Sequence, residues 1–295
     1  MSAASQTGHA RFACTQCGAC CNRPPEVELS EAAGLADMFV FRLMFRLYQL
    51  PRTFADYRHA HGSSVASGED YYQSKRLLAA FAARKWISKR RDSAKPVEYV
   101  NYLTLSALSL ETAVGACSAL SAGRCTVYAR RPLSCRTVPF HYSRPEALAE
   151  RDLGRFVATP TYRCDTSPRA PIVVDAGRIV DPVARVARSE AMALAAENQG
   201  WAEAIVRRLK IGAADRSLPS LAEIEANAPY GAMTTSMRIA WQIAADAGLI
   251  GAATFKALIA TQADLIEREL ASGRCAPGAH ETLAEMRAEY RAVLR

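Results

Sequence analysis

The sequence predicts an α+β fold that is mostly α, with a small cysteine-rich core carrying short strands, a long helical insert and a C-terminal helical region. Three observations lead there. Eight of the nine cysteines fall in two groups, Cys14, Cys17, Cys20 and Cys21 early, then Cys117, Cys125, Cys135 and Cys164. Between them, Val97 to Leu110 is rich in Val, Tyr, Leu and Thr, the composition of a strand or two. From Pro182 onward the chain turns alanine-rich with helical periodicity. At 295 residues, with 50% hydrophobic and 22% charged, it can bury one large core or two ordinary ones. We expect a cysteine-cluster domain over 10–182, with its insert at about 30–92, and a helical region over 183–295.

The elements follow in order. After the first cysteines, Pro24-Pro25 and Val27-Glu28-Leu29 form an extended lead-in, and Ser30 with Glu31 reads as an N-cap. A helix is expected from there to about Leu50, where Pro51 stops it. Its apolar residues wrap more than one face, and Arg42 and Arg46 mark its exposed edge. A loop through His59, His61 and Gly62 precedes a second helix from about Glu69 to Arg91. Ser121-Ala122-Gly123 gives a turn before Cys125, and Pro132 begins a helical turn that holds Cys135. Pro171 to Val180 reads as a hairpin with Gly177 at its left-handed position. Ser220-Leu-Ala-Glu223 is a capping box, and helices are expected at about 183–199, 201–211, 230–247, 253–272 and 279–294.

The cysteines admit three readings: disulfides, metal ligands or buried thiols. The N-terminus lacks the basic and apolar regions of a secretory leader, the total is odd, and Cys20 and Cys21 are adjacent. Clustered thiols in a reducing cytoplasm point to metal, and we expect a cytoplasmic protein. The formal charge of +8 comes mostly from dispersed arginines. Its densest run, Arg84 to Arg91, reads as a solvated helix end that complements the helix dipole, so nucleic acid is disfavoured. No stretch reaches the roughly 20 apolar residues of a membrane span.

The C-x2-C-x2-C spacing of Cys14, Cys17 and Cys20 equals the first three ligands of a bacterial ferredoxin run. Zinc knuckles come as two C-x2-C pairs, which the wider spacing of Cys117, Cys125 and Cys135 does not repeat. We therefore favour an iron–sulfur cluster, 4Fe-4S over other types, with a zinc or iron ion as the alternative. Neighbouring side chains diverge, so Cys20 and Cys21 would serve different metals or different irons, or one would be free. Eight thiolates suit two four-sulfur sites, or one cluster and one zinc. Arg131 and Arg136 are candidate cofactor-binding side chains, as donors to cluster sulfurs or to an anionic substrate, with pairing to carboxylates as the other reading. Tyr128 reads as packing, His59, His61 and His141 as solvated, and Cys275 as a bystander.

Phe12-Ala-Cys14-x-x-Cys17-Gly18-x-Cys20-Cys21, Cys117, and Gly123-Arg-Cys125-x-x-Tyr128-x-x-Arg131-Pro132-x-x-Cys135-Arg136 with Pro139-Phe140 resemble the CxxCxxCC cysteine-cluster family, the YkgJ type. The resemblance spans roughly 10–180 and leaves the helical tail outside. It implies zinc or iron chelation by Cys14, Cys17, Cys20, Cys21, Cys117, Cys125 and Cys135, and its relatives include flagellin lysine methylases. Cys164 is added from this sequence as the eighth ligand. Three functions stay open: a cluster protein in electron transfer or redox chemistry, a metal-dependent enzyme like the flagellin lysine methylases, and a structural zinc protein whose helical tail docks an unknown protein partner. Neither a Gly-x-Gly turn for an adenosyl cofactor nor a radical-type C-x3-C-x2-C run is present, so whether it is an enzyme stays open.

Overall fold

The computed structural model describes residues 9–21, 23–61, 68–92, 95–111, 117–140, 146–211, 217–273, 275 and 277–295. Over these the fold is α+β and mostly α, 52% helix against 21% strand. Strands β1 (His9–Arg11) and β2 (Glu26–Val27) flank the first cysteines, and helix α1 (Leu29–Gly34) follows. Strand β3 (Phe41–Pro51), helices α2 (Phe54–His61) and α3 (Gly68–Phe81), then strands β4 (Arg84–Asp92) and β5 (Lys95–Ser109) complete the insert and the segment after it.

The insert therefore differs from the expected pair of long helices. The first ends at Gly34, and Phe41 to Pro51 is strand, paired with β5 from Phe41↔Ser109 to Pro51↔Tyr99. Phe41, Leu43, Phe45 and Leu47 are buried while Arg42, Arg46 and Tyr48 are not, an alternation with a period of two broken only at buried Met44. Arginines four apart share a face in a strand as well as in a helix, so their spacing did not discriminate. Apolar residues wrapping a helix on several faces were the sign of a strand. The basic run is likewise not a helix end: Arg84 to Arg90 alternate half-buried and exposed along β4. The helix expected at Ser30 begins at Leu29, whose N–H donates to buried Asn198 Oδ1 at 2.7 Å. His59 lies on α2, exposed, rather than in a loop. Gly62 and His141 lie outside the described residues.

The second cysteine region holds a two-stranded hairpin, β6 (Leu120–Ser121) and β7 (Arg124–Cys125), and a one-turn helix α4 (Leu133–Arg136). Helix α5 (Ala149–Val157) and the hairpin β8 (Ile172–Asp175) and β9 (Arg178–Ile179) follow, with β8 pairing β1. Ala176 and Gly177 both have positive φ, 46° and 73°, the turn that suits strand twist.

Helix α6 (Pro182–Ile211) is continuous where two helices were expected. Gly200 costs about 1 kcal/mol in a helix interior, and the burial of Trp201, Ala202, Ile205 and Val206 just beyond it overrides that penalty. Helix α7 (Leu221–Asn227) starts at the Ser220–Glu223 capping box. Strand β10 (Met233–Ser236) joins β3 and takes residues expected to be helical, so α8 (Met237–Asp246) starts late. Helices α9 (Ala252–Ala271) and α10 (Pro277–Leu294) close the chain.

The large sheet runs β10-β3-β5-β2, with β4 also paired to β5. Its apolar face packs on α6, α8, α9 and α10 in one core that includes Phe41, Phe45, Leu103, Trp241, Ile259 and Tyr290. This core crosses the expected division at 182/183. A second, smaller core around Phe12, Leu153, Val174 and Ile179 carries β1, α5, β8 and the start of α6. No helix among the described residues is long and apolar enough to cross a membrane.

Candidate metal centre

The first cysteine segment is pinned at both ends. Phe12 is buried in the smaller core, and its N–H bonds Pro171 O at 3.1 Å. An antiparallel bridge, Ala13↔Asp165, closes through two backbone bonds of 2.8 and 3.0 Å, and Thr15 Oγ1 donates to Arg163 O at 2.8 Å. In that register Cys14 lies opposite Cys164. Gln16 and Gly18 take positive φ, 57° and 70°, to wrap the chain tightly, and Ala19–Cys21 forms one 3-10 turn. A side chain on Gly18 is excluded, since a Cβ there would stand 2.5 Å from Gly123 O. The first segment is thus pressed against the β6–β7 turn.

The second segment is docked by Cys117 N–H, which donates to Cys21 O at 3.1 Å. Thr126 fixes the hairpin end by donating from N–H and Oγ1 to Ala119 O, at 2.8 and 2.9 Å. Cys135 sits in α4, whose first N–H, on Leu133, is capped by the Glu31 carboxylate of α1 at 2.7 Å. Burial raises the Glu31 pKa, and that N–H opposes the rise.

All eight cysteines named from the sequence line one cavity of about 1180 Å³, together with Tyr128, Arg131 and the polar edge of β3 and β5. Cys275 is elsewhere, its thiol donating to Glu269 O at 3.3 Å. None of the nine cysteines is bridged. Among the described residues, no three Cys, His, Asp or Glu side chains stand close enough to hold a metal ion as they are.

Mutual electrostatics divide the eight into two quartets. Cys164 is pushed up to about 11, first by burial, then by Cys17, Cys14 and Cys20. Cys135 is pushed up to about 12 by burial, then by Cys117, with Cys125 adding to it. Burial raises Cys117 too, with Cys125 adding to it. The quartets meet at the adjacent pair: the Cys21 thiol donates to Cys20, which lowers Cys20 to about 6, aided by Arg131, and raises Cys21, as do Cys117 and Cys135. Cys17 is lowered by the backbone N–H groups of Ala19 and Arg163. One quartet, Cys14, Cys17, Cys20 and Cys164, includes an exposed member, Cys14; the other, Cys21, Cys117, Cys125 and Cys135, is half-buried throughout.

The chain has no match among family models, curated proteins or solved structures.

The donor chemistry suits a soft metal or a cluster. Four thiols that each disfavour their neighbours' ionisation gain most from a shared cation, which replaces repulsion with coordination. Backbone N–H groups already point at Cys17, and Ser118 Oγ is buried without a hydrogen-bond partner beside Cys117. Such donors offset charge on coordinated sulfur. Arg131 lies in the cavity wall with its guanidinium 3.7 Å from the Tyr128 ring centroid, and its Nε donates to Tyr128 O. Arg136 is not in the wall; it pairs with Glu190 at 2.5 Å. Tyr128 lines the cavity, 39% exposed, with Arg131 stacked over its ring. Sequence spacing gave no grounds for the Ala13↔Asp165 bridge, which requires two strands distant in the chain to meet.

Proposed function

We propose that this chain is a cytoplasmic metal protein that holds iron–sulfur clusters in two four-thiolate sites and works in electron transfer or redox chemistry. The observation that carries the reading is that eight cysteines from two distant segments line one cavity, where the sorting of their mutual effects on ionisation supports a reading as two quartets that meet at Cys20 and Cys21. A cluster supplies one-electron exchange when bound. The residues present would hold and tune it. Cys14, Cys17, Cys20 and Cys164 form the outer site, Cys21, Cys117, Cys125 and Cys135 the inner one, and Arg131 adds positive charge where the two adjoin. Nine unbridged thiols suit a reducing compartment. The resemblance to the CxxCxxCC family implies the same donor atoms.

Anaerobic purification with iron, labile sulfide and zinc quantified per chain tests this. We expect iron and sulfide in near-equal amounts with visible absorbance that bleaches in air. Cys164→Ala and Cys135→Ala should each remove about half of the metal, and Cys275→Ala none. Zinc alone, with no sulfide, would replace the cluster with a structural role. Full-length protein free of any metal would end the proposal.

A further inference from the structure

Charge is distributed unevenly about the cysteines. Residues 9–23 and 117–140 hold six arginines, and all 29 aspartates and glutamates of the chain lie outside these two stretches. Exposed arginines elsewhere are neutralised: Arg52, Arg208 and Arg291 pair with Glu98, Asp246 and Glu267. Arg23, Arg124 and Arg163 are exposed too, and among the described residues none of them has a carboxylate within ion-pair reach.

The fold gathers these three around one loop. Thr15 Oγ1 donates to Arg163 O at 2.8 Å, and the Arg163 N–H points at Cys17. Gly123, the neighbour of Arg124, stands so near Gly18 that a Cβ there would lie 2.5 Å from its carbonyl oxygen. Arg23 follows the loop and lines the same cavity as the cysteines. Cys14, the exposed member of the eight, belongs to this loop. Tyr128 and Arg131 stand stacked in the wall of that cavity.

We infer that this arginine-bearing rim is the docking face for an acidic one-electron carrier protein. The inference rests on the cluster reading above and names the partner of the same site. A cation that offsets cluster charge acts best when desolvated, as half-buried Arg131 is. Exposed guanidinium groups are screened by water and salt, so they contribute little to a buried centre. Their effect is felt at encounter, where complementary charge steers association. It is needed there, because a thiolate-bound cluster is itself anionic and repels an acidic protein. Electrons pass only over short distances, so the partner must dock where the site meets solvent, beside Cys14. One electron then leaves the reduced centre of one protein and reduces that of the other, and no covalent bond between them forms or breaks. Tyrosine and arginine, as at Tyr128 and Arg131, are the residue types that anchor protein interfaces. A nucleic-acid duplex draws on a longer row of phosphate contacts. A membrane surface takes an amphipathic helix, whereas this rim is built of a loop and a tight turn.

The test uses metal-loaded, full-length protein and dye-labelled flavodoxin, an acidic flavin carrier, with binding followed by fluorescence anisotropy across a salt series. Binding is expected at low salt and should weaken about tenfold at physiological salt. The triple variant Arg23→Gln/Arg124→Gln/Arg163→Gln should bind about tenfold more weakly at low salt, with iron content unchanged. Arg124→Glu alone should weaken binding several-fold, which keeps the test decisive if the triple variant misfolds. Arg208→Gln/Arg291→Gln, on the helical tail, should bind as the native protein does. Stopped-flow mixing of reduced flavodoxin with oxidised protein, and of the reverse pair, makes one transfer downhill whatever the potentials. When flavodoxin quinone is the acceptor, its proton comes from solvent. The second-order rate of that transfer should fall with salt and in the triple variant. In protein that carries its metal, the inference is overturned by any of four results: no binding at low salt, transfer insensitive to salt, unchanged affinity in Arg124→Glu, or tighter binding to duplex DNA or phosphatidylserine vesicles than to flavodoxin. Protein that takes up no metal would sink the cluster reading, and this inference with it.

Discussion

At the scale of single residues the site turns on Cys20, Cys21 and Gly18. Cys20 sits near pH 6 because the Cys21 thiol donates to it and Arg131 lies close, so in reduced, metal-free protein it is the thiolate at neutral pH. Its alkylation should rise through about pH 6, well before that of Cys21, Cys135 and Cys164, whose pKa values are raised. Cys21→Ala removes the donor, so the midpoint should move up towards the ordinary thiol range, as mass spectrometry of iodoacetamide labelling would show. Gly18→Ala places a Cβ against Gly123 O in a left-handed conformation. A loss of about 2 kcal/mol is expected from the backbone conformation alone. Denaturant midpoints would register it, and metal content should fall with it because both cysteine segments separate there. Gly18 could be read from the sequence as a turn residue. Its contact with a turn a hundred residues later could not.

At the scale of elements, buried polar groups tie distant segments together. Gln262 of α9 is fully buried, donates to Ala36 O and Phe39 O at 2.5 and 2.8 Å, and accepts from Phe41 N–H at 3.1 Å. This amide fixes where the chain turns from α1 into β3. Gln262→Leu leaves three backbone groups unpaired and should cost about 3 kcal/mol or more, seen as a lower thermal midpoint. Ser220→Ala removes one cap of α7 at an exposed end and should cost about 1 kcal/mol. The capping box, both hairpin turns and the helical turn at Pro132 were legible because each depends on residues a few positions apart. The insert was not. Strand β3 takes its hydrogen bonds from partners 48 to 68 residues away in β5 and from β10, and the Phe41–Leu50 stretch offers enough apolar residues to satisfy either period.

For the whole molecule, the division of the core decides what metal loss would do. The larger core joins the main sheet to α6, α8, α9 and α10, and of the proposed ligands only Cys117 packs against it. The smaller core and the two cysteine segments are held by a few backbone bonds and by the proposed ligands. Stripping metal should therefore leave the helical far-UV signal in place while hydrogen exchange accelerates over 9–21, 117–140 and 146–182. Loss of protection in β3, β5 and α9 on the same timescale would show instead that the two cores unfold as one.

By itself the sequence determined the fold class, the local turns and caps, and the identity of the eight thiols, since these follow from composition and short-range spacing. Only tertiary structure decided that these thiols line one cavity, because it joins chain segments about 150 residues apart, as the bridge that sets Cys14 opposite Cys164 does. It also decided that a basic run should be the edge of a sheet rather than the end of a helix. A period-two pattern becomes a strand only when another strand is there to take its hydrogen bonds.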